Sequence, residues 1–113
     1  MASYVPDRGD VVWLNFDPQS GREQAGHRPA LVLSPAAYNS RTGLMVVCPI
    51  TSRVKGYPFE VPVLGDPGIS GAVLADHVKS VDWKARRAKK KGQLSPPVVR
   101  QVLGKLHALI GVT

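Results

Sequence analysis

Apolar residues along this chain fall into short clusters broken by glycine, proline and polar turns, with one longer periodic segment near the C-terminal end. "GDVVWLNFD" (9–17) concentrates Val, Trp, Leu and Phe, side chains that pack well on a pleated surface, and predicts a strand over 10–16. Asp17-Pro18 and "QSGREQAG" follow as a polar loop with two glycines. "RPALVLSP" (28–35) is apolar almost without interruption and closes on Ser34-Pro35. Such a run predicts a strand covered on both faces. "LMVVCPI" (44–50) repeats that pattern after "AAYNSRTG", which reads as a turn or short helical connection. Pro49 cannot donate to a ladder, so an edge or a bulge is expected there.

Beyond the "TSRVKGY" turn, "PFEVPV" (58–63) alternates like a half-exposed strand, with Pro62 marking an edge. "LGDPGISG" is a loop dense in glycine and proline. "AVLADHVKSVDW" (72–83) predicts one or two short strands around Asp76-His77, and "KARRAKKKG" (84–92) a basic hairpin or loop. In "SPPVVRQVLGKLHALIGV" the apolar positions 98, 99, 102, 103, 106, 109 and 110 keep a helical period. Ser95 is the expected N-cap, with Pro96 in the first turn, where its missing N–H costs little. Five to seven short strands and one C-terminal amphipathic helix predict a mainly β fold, a small barrel closed or covered by that helix. No crossover helices separate the strands, which argues against a parallel α/β sheet. No internal repeat or linker interrupts the pattern, so residues 1–113 are expected to form one domain.

Composition sharpens this picture. The chain has 113 residues, 43% hydrophobic and 20% charged, values of a globular domain that can build one core but no large enclosed cavity. A surface groove or a subunit interface is then the expected place for any chemistry. No stretch reaches the roughly 18 apolar residues of a membrane helix, and "MASYVPDRGD" has no signal-peptide pattern; the cytoplasm is the expected location. Cys48 is the one cysteine. The net charge of +7 is unevenly spread. Residues 1–78 hold six Lys/Arg against seven Asp/Glu, whereas residues 79–113 hold nine against Asp82 alone. That asymmetry fits a polyanionic partner, or else a solvated, solubilising face.

Several chemistries fall away. His27, His77 and His107 are far apart without HExxH or CxxC spacing, so no metal or other cofactor is expected. His107 reads as a packing or surface residue and Cys48 as a small buried one. Neither a GxSxG elbow nor a phosphate-binding P-loop is present. Polar residues at strand mouths remain. Arg28 precedes Pro29, which biases its backbone to extended geometry and mounts a guanidinium, suited to gripping phosphate, at the start of a rigid strand. Thr51 and Ser52 stand at the far end of "LMVVCPI". If the two strands pair antiparallel, Arg28 and Thr51 meet at one end of the sheet; the plainer reading is that Thr51 and Ser52 satisfy a turn. Trp13 and Trp83 read as packing residues before base-stacking platforms.

"YVPDRGDVVWLNFDP", "EQAGHRPALVLSP", "TGLMVVCPITS", "KGYPFEV" and "LADHVKSVDWKAR" resemble the MazF/PemK-like toxins of bacterial toxin–antitoxin pairs, over roughly Tyr4 to Gly111. The resemblance implies an SH3-like β-barrel with helical additions, assembled as a homodimer. It also implies a metal-independent, sequence-specific endoribonuclease that cleaves single-stranded messenger RNA and is silenced by an acidic antitoxin. The family's catalytic arginine and threonine fall on Arg28 and Thr51, and Glu23 and His27 match the flanking loop positions. The resemblance implies RNA contacts at Gln24, Ser52, Lys55, Asp76, His77, Lys79 and Arg86. His77 stands where close relatives are expected to carry glutamine, which bears on the RNA sequence recognised. The other reading is a non-catalytic nucleic-acid-binding module, or a gyrase-poisoning toxin on the same kind of barrel.

Overall fold

The structure, a computed structural model, describes residues 4–16, 26–63 and 68–111. Strand β1 (Asp10–Asn15) is followed by β2 (His27–Val32), the short helix α1 (Ala36–Thr42) and the long strand β3 (Leu44–Thr51). Then come β4 (Glu60–Pro62), β5 (Ala72–Leu74), a 3₁₀ turn over Ala75–His77, β6 (Lys79–Asp82), β7 (Lys89–Gln93) and helix α2 (Pro96–Ile110). All pairings are antiparallel, along the path β4-β5-β3-β2-β1-β7, with β6 also on β3. Among the described residues β4 and β7 end this path without meeting. The mainly β architecture with a C-terminal helix is as expected, but the ladder stays open.

Strand alternation builds two cores from one sheet, because successive side chains point to opposite faces. Val11, Leu31, Cys48 and Ile50 face one side, where Val99 and Val102 of α2 cover them. Val12, Ala30, Val32, Met45 and Val47 face the other, together with Phe16, Val81 and Trp83. This is why "ALV" and "MVVCPI" lack alternation: both faces exclude water. At about 25 cal/mol per Å² of apolar surface, burial of this kind is the main stabilising term.

Two expectations are revised. Pro49 lies buried within the central strand rather than at an edge, opposite Ala30 of β2. On its other edge, β3 pairs β6 through Leu44–Val47 and β5 through Ile50 and Thr51. Pro49 sits at this handover, where the ladder is interrupted anyway. Pro62, by contrast, is on edge strand β4 as expected. The second revision concerns α2. It starts at Pro96 after Ser95, yet the Ser95 side chain makes no capping hydrogen bond. Its apolar stripe is buried only along part of its length, leaving Leu109 and Ile110 at 46% and 68% exposure.

Candidate active groove

The antiparallel register of β2 on β3 runs Val32↔Val47, Leu31↔Cys48, Ala30↔Pro49. Carried two residues outward, it sets Arg28 opposite Thr51. Both line one open groove of about 380 Å³. Arg53, Lys55, Tyr57 and His77 also border it, and buried Glu60 and Leu74 form part of its wall. Four cationic or potentially cationic side chains with the hydroxyls of Thr51 and Tyr57 make a site for an anion.

Each groove residue is held by a local device. Thr51 is 6% exposed, and its Oγ1 accepts the Arg53 N–H at 3.1 Å. The hydroxyl proton is therefore left to donate to something in the groove. Close packing pins the Thr51 backbone: a Cβ on Gly71 would lie 2.0 Å from the Thr51 carbonyl oxygen, and Gly71 has φ +106°. Only glycine permits both that approach and that backbone angle. Glu60, also 6% exposed, turns its carboxylate onto the preceding loop. Its Oε1 accepts the Gly56 N–H at 2.7 Å and its Oε2 the Lys55 N–H at 3.0 Å, so the chain bearing Lys55 is held to β4. Tyr57 donates its hydroxyl to Asp76 Oδ1 at 2.7 Å. Burial, and then this bond to a carboxylate, pushes the phenol up to about 12.

Among the described residues the structure thus unites Arg28, Thr51, Lys55 and His77, with Asp76 joined through Tyr57. It separates others. His27 precedes Arg28 and alternation turns it away; it lines a different groove with Asn15 and Arg86, and its ring packs 5.5 Å from Trp13. Arg86 donates from Nη1 to the Asn15 carbonyl at 3.0 Å. Lys79 holds its ammonium 5.5 Å from the Phe16 ring centroid. Ser52 lines a recess of about 230 Å³ that shares Arg28 with the main groove. Glu23 and Gln24 lie outside the described residues.

Sequence reading passed over Arg53, Tyr57, Glu60 and Gly71. "RVKGYPFE" carried the signal: a glutamate on an apolar strand three residues after a tyrosine, next to a glycine turn, asks which donors satisfy it. The plain readings of Trp83, Cys48 and His107 describe what is found. Trp83 is buried, with Nε1–H donating to the Asn39 carbonyl at 2.9 Å. Cys48 is fully buried, and loss of solvent pushes its thiol up to about 12. His107 is exposed on α2. Among the described residues no three His, Cys, Asp or Glu side chains group so as to hold a metal ion. No helix there is long and apolar enough to cross a membrane.

Known proteins match this chain over nearly its whole length. The endoribonuclease toxin MazF of Escherichia coli (strain K12) is 51% identical over 111 residues, 98% of this chain and 99% of its own. A crystal structure of MazF from Deinococcus radiodurans superposes with a TM-score of 0.93 at 59% identity, covering 97% of this chain and all of that one. A MazE–MazF structure from the same organism reaches 0.86 at 54% identity, covering 98% and 100%. Residues 7–110 match the model of the PemK-like, MazF-like toxins of type II toxin–antitoxin systems, and the chain belongs to that family.

Proposed function

We propose that this protein is a sequence-specific endoribonuclease toxin that cuts single-stranded RNA at the Arg28–Thr51 groove without a metal ion. The observation that carries this reading is the register of β2 on β3, which sets a guanidinium and a buried hydroxyl across one anion-sized groove. Support comes from the endoribonuclease names of relatives that cover 98% and 92% of the chain.

The chemistry follows from RNA itself. The 2′ oxygen attacks the adjoining phosphorus, the P–O5′ bond breaks, and the products carry a 2′,3′-cyclic phosphate and a 5′ hydroxyl. The 2′ proton leaves to a base and the departing O5′ takes one up. Arg28 stabilises the charge that builds on the phosphorane oxygens and stands ready to protonate O5′, and Thr51 donates to a nonbridging oxygen. Fixed donors aimed at developing charge contribute on the order of 10²–10³-fold each, and acid–base help roughly 10²–10⁴-fold. Glu23 and His27 are carried as bases by the family resemblance alone; the imidazole bordering the groove is that of His77. Lys55, His77 and Tyr57 then hold the flanking nucleotides.

An acidic antitoxin complements the basic C-terminal third, and exposed Leu109 and Ile110 offer apolar surface for a homodimer. The decisive experiment incubates long single-stranded RNA with the protein in excess EDTA and maps the new 5′ ends. Cleavage with 5′-hydroxyl ends is expected, and Arg28→Ala or Thr51→Ala should abolish it while leaving the fold intact. RNA that is bound but left whole, or cut only when a divalent ion is added, overturns the proposal in favour of a binding module.

A further inference from the structure

Arg28 belongs to two hollows. On one side lies the groove shared with Thr51. On the other lies the recess of about 230 Å³, walled by Trp13, Ile50 and Ile69 and edged by Ser52, Ser70 and Lys91. Its composition differs sharply from that of the groove. Trp13 is half-buried, and the Lys91 ammonium stands 4.7 Å from its ring centroid. His27 packs against the same indole at 5.5 Å with its plane tilted 34°. An aromatic wall, an apolar floor, two hydroxyls and a cation suit a flat, polar-edged ring attached to an anion. The recess is too small for a base pair and large enough for one base.

We infer that the Trp13–Lys91 recess is a nucleobase subsite, which takes the unpaired base adjoining the RNA phosphate held between Arg28 and Thr51. This rests on the endoribonuclease reading for the position of that phosphate. The shared arginine links the two sites: both hollows border the residue that holds the phosphate, so the recess lies within reach of the adjoining nucleotide. A base stacking on Trp13 displaces the Lys91 ammonium from the indole face, and the freed cation meets the neighbouring phosphate. Ser52 and Ser70 reach the edge of the base, where a hydroxyl can donate or accept and so tolerates more than one base. The His27 ring, packed on the same indole, helps hold Trp13 in place.

The test is a coupling measurement on a short single-stranded RNA made uncleavable by 2′-deoxy substitution, with each base in turn replaced by an abasic unit. Binding is measured for the unaltered protein, Trp13→Ala and Trp13→Phe. Stacking on an aromatic side chain is worth roughly 5- to 100-fold in affinity. At one position the abasic unit should weaken binding to the unaltered protein by that order and cost Trp13→Ala nothing further. Trp13→Phe, which keeps a ring and guards against a merely misfolded variant, should retain most of the effect at that position. Independent losses at every position, or unchanged binding by Trp13→Ala, would overturn the subsite. Cleavage is read separately on the all-ribose parent. Coupling at one position with an uncut parent leaves the subsite standing and sinks the nuclease reading; a cut parent without coupling does the reverse.

Discussion

The β2–β3 ladder has two ends built from the same kinds of residues to opposite effect. At the Val32–Val47 end, polar groups are sealed in. Asn39 is fully buried; its amide donates to the Pro6 carbonyl at 2.7 Å and to the Ser34 carbonyl at 3.0 Å, and its Oδ1 accepts the Ser34 hydroxyl at 2.6 Å. Ser34 Oγ in turn accepts the Val46 N–H at 2.8 Å, and the Asn39 carbonyl accepts from Trp83. One residue thereby ties the N-terminal segment, β2, α1 and Trp83 together. At the Arg28–Thr51 end, the buried polar groups Thr51 and Glu60 are also satisfied, but by backbone N–H groups of the loop just beside them. That leaves the Thr51 hydroxyl proton and the cationic side chains facing a groove. The closed end spends its hydrogen bonds on cohesion, whereas the open end spends them on holding polar side chains at an open groove.

This division can be broken by mutation. The largest effect is expected from Arg28→Ala, which should lower the cleavage rate by about 10²–10³-fold or more, the cost of losing a fixed donor to developing charge. Its melting temperature should stay close to that of the unaltered protein. A large fall in melting temperature would mean that Arg28 holds the fold and the two ends are not distinct. Asn39→Ala is the mirror case. It leaves several buried partners unsatisfied and should cost on the order of 2–4 kcal/mol in denaturant unfolding, with cleavage per folded molecule unchanged. Reduced turnover in the folded fraction would show that the closed end also tunes the site.

Gly71→Ala tests the junction. The added methyl would meet the Thr51 carbonyl and sit at a strained φ, so both stability and cleavage should fall. Stability should drop by roughly 1–3 kcal/mol, with turnover falling more than RNA affinity because Thr51 is displaced. Glu60→Gln should act more mildly, since an amide oxygen still accepts one loop N–H. Weaker RNA binding, by a few-fold, with little change in the chemical step is the expected outcome, measured as KM against kcat.

The smallest effect is the pH dependence carried by Tyr57. Its folded pKa lies above its ordinary value, so the neutral phenol is the form the structure favours. The stabilisation from its bond to Asp76 is full below pH 10 and lost as the pH rises through about 12. Tyr57→Phe should therefore lower stability slightly at neutral pH, where the bond is intact, and flatten the alkaline limb of stability against pH. An unaltered alkaline limb would show that this bond contributes nothing.

Much of this was legible in the chain, for reasons that are local. Extended geometry before Pro29 and the apolar run after it mark Arg28 as a strand-mouth residue. Thr51 is legible in the same way, at the far end of the next apolar run. Helix α2 follows from its 3.6-residue period, and the Pro62 edge from a missing donor. Other features were illegible because they depend on partners distant in sequence. Asp76 is one case: one of its oxygens accepts the Tyr57 hydroxyl from 19 positions away. His27 stood beside Arg28 in sequence, and one step along a strand turned it to the other face. Pro49 looked like an edge residue; that β3 changes partner beside it is a property of the whole sheet.

The sequence by itself determined which segments are strands and helices, because periodicity and turn chemistry are set within a few residues. It also determined that Arg28 and Thr51 stand at the ends of apolar strands, and that positive charge gathers after residue 78. Tertiary structure alone decided which of those side chains share a groove. That choice depends on register and pleat: a shift of one residue in the pairing of β2 with β3 would point the Arg28 guanidinium to the opposite face from Thr51. The same register joins Arg28 to the recess at Trp13 and leaves His27 outside the groove. Two cores pressing on opposite faces of one sheet hold that register, since a slip would turn buried valines and leucines toward the wrong side.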